Sequence, residues 1–186
     1  MQRATFIPAI VLAIAACSSS GGPVVSTQVT TQTLQTPGAN IDITSTQDRD
    51  VITQMMLAPA DSVWRQLPGV FLELDIEPTT VDQKDHVIAN MSFTVRRSLG
   101  GVRLSRYVDC GRNISGAAAD QLQILMTLMV QVVADSSQTS TLRSQVQAHG
   151  VAEGVSGTQV ACASTGALEE RIARMVNDAL AHRAHK

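Results

Sequence analysis

The chain has 186 residues, 14 of them basic and 16 acidic, for a formal net charge of −2. That balance offers no electrostatic footing for nucleic acid, and five aromatic residues are too few for base- or sugar-stacking platforms. The length suits one domain that can bury a core without help from metals.

The first element in chain order is an export segment. Arg3 and the amino terminus supply a positive start, and Ala4 to Ala16 then runs thirteen residues without a charge. That is enough for the apolar region of a signal peptide but short of the ~20 residues a spanning helix needs. Small residues close it in Ile14-Ala15-Ala16-Cys17. The pattern resembles the lipobox of bacterial lipoproteins. The resemblance implies that the Cys17 thiol receives diacylglycerol, that residues 1–16 are removed, and that the new amino terminus is acylated. Ser18 stands where an aspartate would, in enteric bacteria, favour inner-membrane retention, so the same family rule points to the periplasmic face of the outer membrane. The alternative is an ordinary cleaved signal that precedes a cysteine.

From Ser18 to Ile41 there is no charged residue, and Ser, Thr, Gln, Gly and Pro dominate. Residues 17–41 therefore read as a lipidated flexible tether, with a reach of about 25–30 Å as a random coil. Val25 to Leu34 has strand propensity, so part of it can dock on the domain. Residues 42–186 form the expected single domain.

Val51 to Leu57 reads as a strand leading into a helix that opens at Ala58-Pro59-Ala60-Asp61. Val63, Trp64, Leu67, Val70, Phe71 and Leu74 recur at helical spacing on one face. Pro68 cannot donate to the Trp64 carbonyl, so the helix should kink or break there. Period two follows: Val87, Ala89, Met91, Phe93 and Val95 alternate with Ile88, Asn90, Ser92, Thr94 and Arg96 as a half-buried strand. Ser98-Leu99-Gly100-Gly101 signals a turn, with Val102 to Cys110 returning as its partner strand.

Residues 123–133 are ambiguous. Their Leu, Met and Gln content suits a helix, whereas Ile124, Met126, Leu128, Val130 and Val132 form a clean alternate face. With the turn at Asp135-Ser136-Ser137 and the alternation from Thr141 to Ala148, a long hairpin is the better reading. Gln159 to Ala163 makes a last strand. Ser164 or Thr165 can cap a closing helix striped by Leu168, Ile172, Met175, Val176, Ala179 and Leu180. Glu169 and Glu170 in its first turn, and Arg183 and Lys186 at its end, match the helix dipole.

The expected fold class is α+β: an antiparallel sheet with an N-terminal and a C-terminal helix packed on one face. A helix opened by Ala58-Pro59 and carrying Val63-Trp64 and Leu67, then a sheet and a final helix, resembles the helix-grip domains of the lipoprotein C subunit of the outer-membrane barrel-assembly machinery. That likeness spans residues 51–181 and carries no functional residue across. Pro68 and the Cys110–Cys162 pair are not part of that family's pattern.

With Cys17 assigned to lipid, Cys110 and Cys162 remain as an even pair in a compartment where disulfides persist. A disulfide is therefore expected, against a reactive thiol near His149 as the alternative. Arg96, Arg97, Arg103 and Arg106 bracket one hairpin tip. They could contact anionic lipid headgroups or an acidic partner, or they could be a solvated, edge-blunting cluster. His182 and His185 have helix-face spacing for a metal but no third ligand nearby, and His86 reads as a surface residue. Glu153 among Gly150, Gly154 and Gly157 lacks the lysine of a phosphate loop. Met55, Met56, Met126 and Met129 fill a core or line an adaptable groove.

No nucleophile, base and orienter converge, so no enzyme, cofactor or metal is expected. The leading expectation is a lipid-anchored envelope domain that binds protein as an assembly accessory. A carrier of a small apolar ligand or lipid in a helix–sheet crevice comes second, and an enzyme with an unrecognised site third.

Overall fold

A computed structural model describes residues 27–36, 39–48, 51–151 and 159–184. Residues 1–16, read above as an export segment, and Cys17, Glu153, Gly154, Gly157, His185 and Lys186 lie outside the described residues. Thr27–Thr36 (β1) and Ala39–Asp48 (β2) pair antiparallel, so this hairpin runs across the boundary expected at residue 41. Ile52–Met56 (β3) leads into two short helices, Ala60–Trp64 (α1) and Leu67–Glu73 (α2). Thr80–Asp82 (β4) pairs with Val87–Arg96 (β5). Five two-residue strands follow: Ser98–Leu99 (β6), Val102–Arg103 (β7), Val108–Asp109 (β8), Arg112–Asn113 (β9) and Gly116–Ala117 (β10). The long hairpin Gln123–Ala134 (β11) and Ser140–Val151 (β12) then gives way to Gln159–Ser164 (β13) and Ala167–Ala184 (α3).

The principal sheet has seven strands in the order β4-β5-β11-β12-β13-β8, with β3 also on β12. β12 pairs along its whole length with β11, so β3 and β13 share its other side in tandem. Every pairing is antiparallel. Both α1 and α3 pack on β12, α1 also reaches β11 and α3 reaches β3, and the helices touch one another. The α+β class holds, and the strand reading of residues 123–133 is the observed one.

The first helix is broken, as Pro68 requires. The interruption falls at Arg65–Gln66, and Pro68 sits in the first turn of α2, where its missing N–H costs nothing. The buried Gln66 side chain donates Nε2 to the Ser62 carbonyl at 2.9 Å, satisfying one acceptor at the break. α2 ends with Asp75 at φ 58° and the Ile76 N–H on the Phe71 carbonyl at 2.9 Å, which buries Ile76 beneath the helix. The stripe survives the break: Val63, Leu67, Phe71 and Leu74 are fully buried.

Two strand expectations are corrected. Period two does not persist through β5. Phe93 faces Met126 and Asn90 faces Leu128, so Met91 and Ser92 oppose the single residue Thr127 in a β-bulge. The extra residue exchanges the two faces. Ile88 and Asn90 therefore join Phe93 and Val95 on the core side, while Met91 turns outward. Buried Asn90 organises the bulge, donating to the Glu77 carbonyl at 2.7 Å and accepting from the Ser92 N–H at 2.9 Å. Thr127 Oγ1 donates to the Met91 carbonyl at 2.9 Å.

Val102 to Cys110 is not the partner strand of β5. One edge of β5 is taken by the long apolar β11, and β4 takes the other over Val87–Ala89. The chain instead makes the small β6–β7 hairpin, turned by Gly100 and Gly101 at φ 53° and 77°. It then runs through a turn of 3-10 helix at Leu104–Arg106 into β8, which pairs with β13 at the sheet margin.

Candidate interaction surface

The helix-covered side of the sheet is closed. Val63, Leu67 and Phe71 from the first helices and Leu168, Ile172 and Val176 from α3 are fully buried. They meet Ile88, Ile124, Leu128 and Leu142 from the sheet in one continuous core. Met56 and Met126 belong to this core, so two of the four methionines are packing residues. Met129 is half-buried beside Val51 and Arg143 on the opposite face, and Met55 is exposed. A hollow of about 530 Å³ at Pro68, Leu72, Ile76 and Pro78 opens on the outer side of α2. It is not a crevice between α3 and the sheet.

Cys110 and Cys162 are joined in a disulfide that closes 52 residues, with Cα atoms 4.2 Å apart. Both are buried, and the bond ties the segment after β8 to β13, which feeds α3. Cys110 follows β8 at the sheet margin, rather than ending a strand paired with β5. With both sulfurs bonded, neither is a nucleophile, and the reactive-thiol alternative falls. His149 is half-buried on β12 opposite Leu125.

The four arginines fall on one exposed segment. Arg96 donates to Gln123 Oε1 at 2.9 Å across the β5–β11 pair. Arg97 has φ 63°, and its carbonyl accepts from the Leu104 N–H at 2.9 Å. Arg103 stands opposite Ser98 in the β6–β7 ladder. The Arg106 carbonyl accepts from Thr165 Oγ1 at 2.6 Å. All four side chains are exposed.

Sequence reasoning missed what holds this segment. Arg171 on α3 donates Nη2 to the Gly100 carbonyl at 2.9 Å and Nη1 to the Tyr107 hydroxyl. Its only signal is its place next to Ile172 in the buried stripe. Two other side chains are also more engaged than expected. His86 stacks on Trp64 with ring centroids 5.5 Å apart, and its Nε2 lies 3.3 Å from Asp61. Glu169, read as a dipole residue, is fully buried. Burial pushes its carboxyl above the ordinary glutamate value, with Glu170 adding to the rise; the Ser164 hydroxyl bond at 2.7 Å and a backbone bond oppose it.

No protein-family model, curated protein or solved structure matches this chain. The reading of its surface therefore rests on its own residues. Among the described residues no group of three His, Cys, Asp or Glu could hold a metal ion, and His182 is exposed on the last turns of α3. No helix among them is long and apolar enough to cross a membrane.

Exposed apolar side chains include Leu72, Met91 and Ile114 on other parts of the surface, and Val51, Met55 and Leu57 on or beside β3. Met55 is 73% exposed and Leu57 83%. Met55 lines a groove of about 310 Å³ with Gln54, Met56, Glu170, Ala173 and Arg174, where β3 passes α3. The Gln54 Oε1 atom is buried there without a hydrogen-bond partner.

Proposed function

We propose that this chain is a bacterial lipoprotein, anchored through Cys17 at the periplasmic face of the outer membrane, whose single domain binds another envelope protein. It works as a non-enzymatic accessory of an envelope assembly. The observation that carries the reading is the closed core beneath the helices, where Phe71, Leu128, Leu168 and Ile172 leave no exposed surface of their own. A domain so filled must act through its outside, and its outside carries exposed arginines and exposed apolar side chains. We read the helices on one face of the sheet as a helix-grip arrangement, in keeping with the likeness drawn from Ala58-Pro59 and Val63-Trp64.

The test is chemical crosslinking of the lipidated protein in its native envelope, followed by capture and mass spectrometry. One protein partner recovered in constant proportion is the expected result. A small apolar molecule co-purifying in equimolar amount, with no protein adduct, would replace this reading with the carrier. Changing Arg96, Arg97, Arg103 and Arg106 together to Gln decides whether the arginine segment takes part in capture.

A further inference from the structure

Among the described residues the sheet has free edges at β4, β8, β3 and β5 beyond Ala89, and the chain treats them differently. The β5 edge carries the bulge at Met91–Ser92 and ends in Arg96. β4 is three residues long and runs into a charged turn where Asp82 accepts from the Lys84 and Asp85 N–H groups at 2.9 and 3.2 Å. β8 is only two residues long, with Asp109 in it. These are the ordinary devices that keep a sheet edge from recruiting another strand. β3 has neither. Ile52-Thr53-Gln54-Met55-Met56 contains no charge and no proline, and among the described residues it pairs with β12 alone. One row of its main-chain N–H and C=O groups therefore faces away from the sheet without a ladder partner.

The groove beside that edge has matching properties. Glu170 and Arg174 on α3 stand 3.8 Å apart and balance each other, so the groove carries no net charge and complements an uncharged segment. Met55, exposed beside the groove, is unbranched and adapts to varied side chains.

The geometry points to β3 as a docking edge for an extended, uncharged segment of a partner protein. The segment adds antiparallel or parallel to Ile52–Met56 as a further strand and rests its side chains against Met55 and α3. Main-chain hydrogen bonds then supply affinity, and the α3 groove supplies selectivity, as in other cases of strand addition. The proposal rests on the protein-binding reading above and names the chemistry of the partner.

Photo-crosslinking of the full-length lipidated chain in its native envelope tests it. A photoreactive residue is placed singly at Thr53, Met55 or Leu57, at Arg97 or Arg103, and at Leu72 and Ile114 as exposed controls. Thr53 and Met55 should attach to the same protein, at partner residues two apart, the spacing of a strand. Changing Thr53 and Met55 together to Lys should lower attachment from position 57 by about tenfold, because edge charge opposes pairing. Partner residues three or four apart would mean a docked helix and would overturn the proposal. So would attachment to a second copy of this chain. Adducts from Arg97 or Arg103 but none from Thr53 or Met55 would overturn strand docking while leaving protein binding intact. A protein adduct from no position would remove both.

Discussion

Arg171 and Gly100 are 71 positions apart, yet the guanidinium of one donates to the carbonyl of the other at 2.9 Å. The same side chain reaches the buried Tyr107, so α3 holds the arginine segment by its turn. Arg171→Met keeps the stem and removes both donations. It should cost about 2 kcal/mol, the range for charge-assisted bonds in a part-buried setting. Amide exchange of residues 98–106 should accelerate ahead of the rest of the sheet. Unchanged exchange there would show that the segment is held by its own backbone.

Ser164 and Glu169 predict a pH dependence. The folded carboxyl of Glu169 titrates above its ordinary value of 4.5, chiefly because burial disfavours the charged form. Between the unfolded and folded values the native state binds the extra proton, so stability falls as pH rises through that window. Glu169→Gln should abolish this slope and raise stability at neutral pH relative to the parent, with Oε1 still able to accept from Ser164. Denaturant midpoints across pH 4–8, compared between the two proteins, measure it. Parallel curves would refute the burial effect.

The Cys110–Cys162 bond closes a 52-residue separation. Loop-entropy bookkeeping makes that worth about 4 kcal/mol. The double change to Ala should lower the denaturation midpoint accordingly, and the unreduced parent should show no titratable thiol at these two positions after denaturation.

Asn90 sits in the core with its amide spent on the Glu77 carbonyl and the Ser92 N–H. Asn90→Ala would leave both without that partner at the bulge and should cost about 1–3 kcal/mol. Equilibrium unfolding in urea checks this; a loss under half the lower figure would mean that water replaces the side chain.

Cys17→Ser should move the protein from the membrane to a soluble exported fraction, because the lipid is the proposed attachment. Fractionation with detergent-free washing reads the outcome. Firm membrane retention of the variant would place the anchor elsewhere.

Local chemistry alone determined much of this protein. The break near Pro68 follows from a missing N–H, the closing helix from its 3.6-residue stripe, and the β11–β12 hairpin from strict alternation between Ile124 and Val132. The pairing of Cys110 with Cys162 was legible from residue type and number once one cysteine was set aside. Tertiary structure decided what depends on competition between distant segments. Period two could not announce the bulge at Met91–Ser92, because the face exchange is imposed by β11 and held by Asn90, Thr127 and Glu77 from three separate parts of the chain. Val102 to Cys110 looked like a partner for β5 until β11 occupied that edge. Glu169 looked like a helix-dipole acid, and nothing marked Arg171, because burial depends on which elements cover a helix face. The uncharged margin at β3 is the same kind of fact: its five residues read as an ordinary strand, and only the sheet order leaves one side of them unpaired among the described residues.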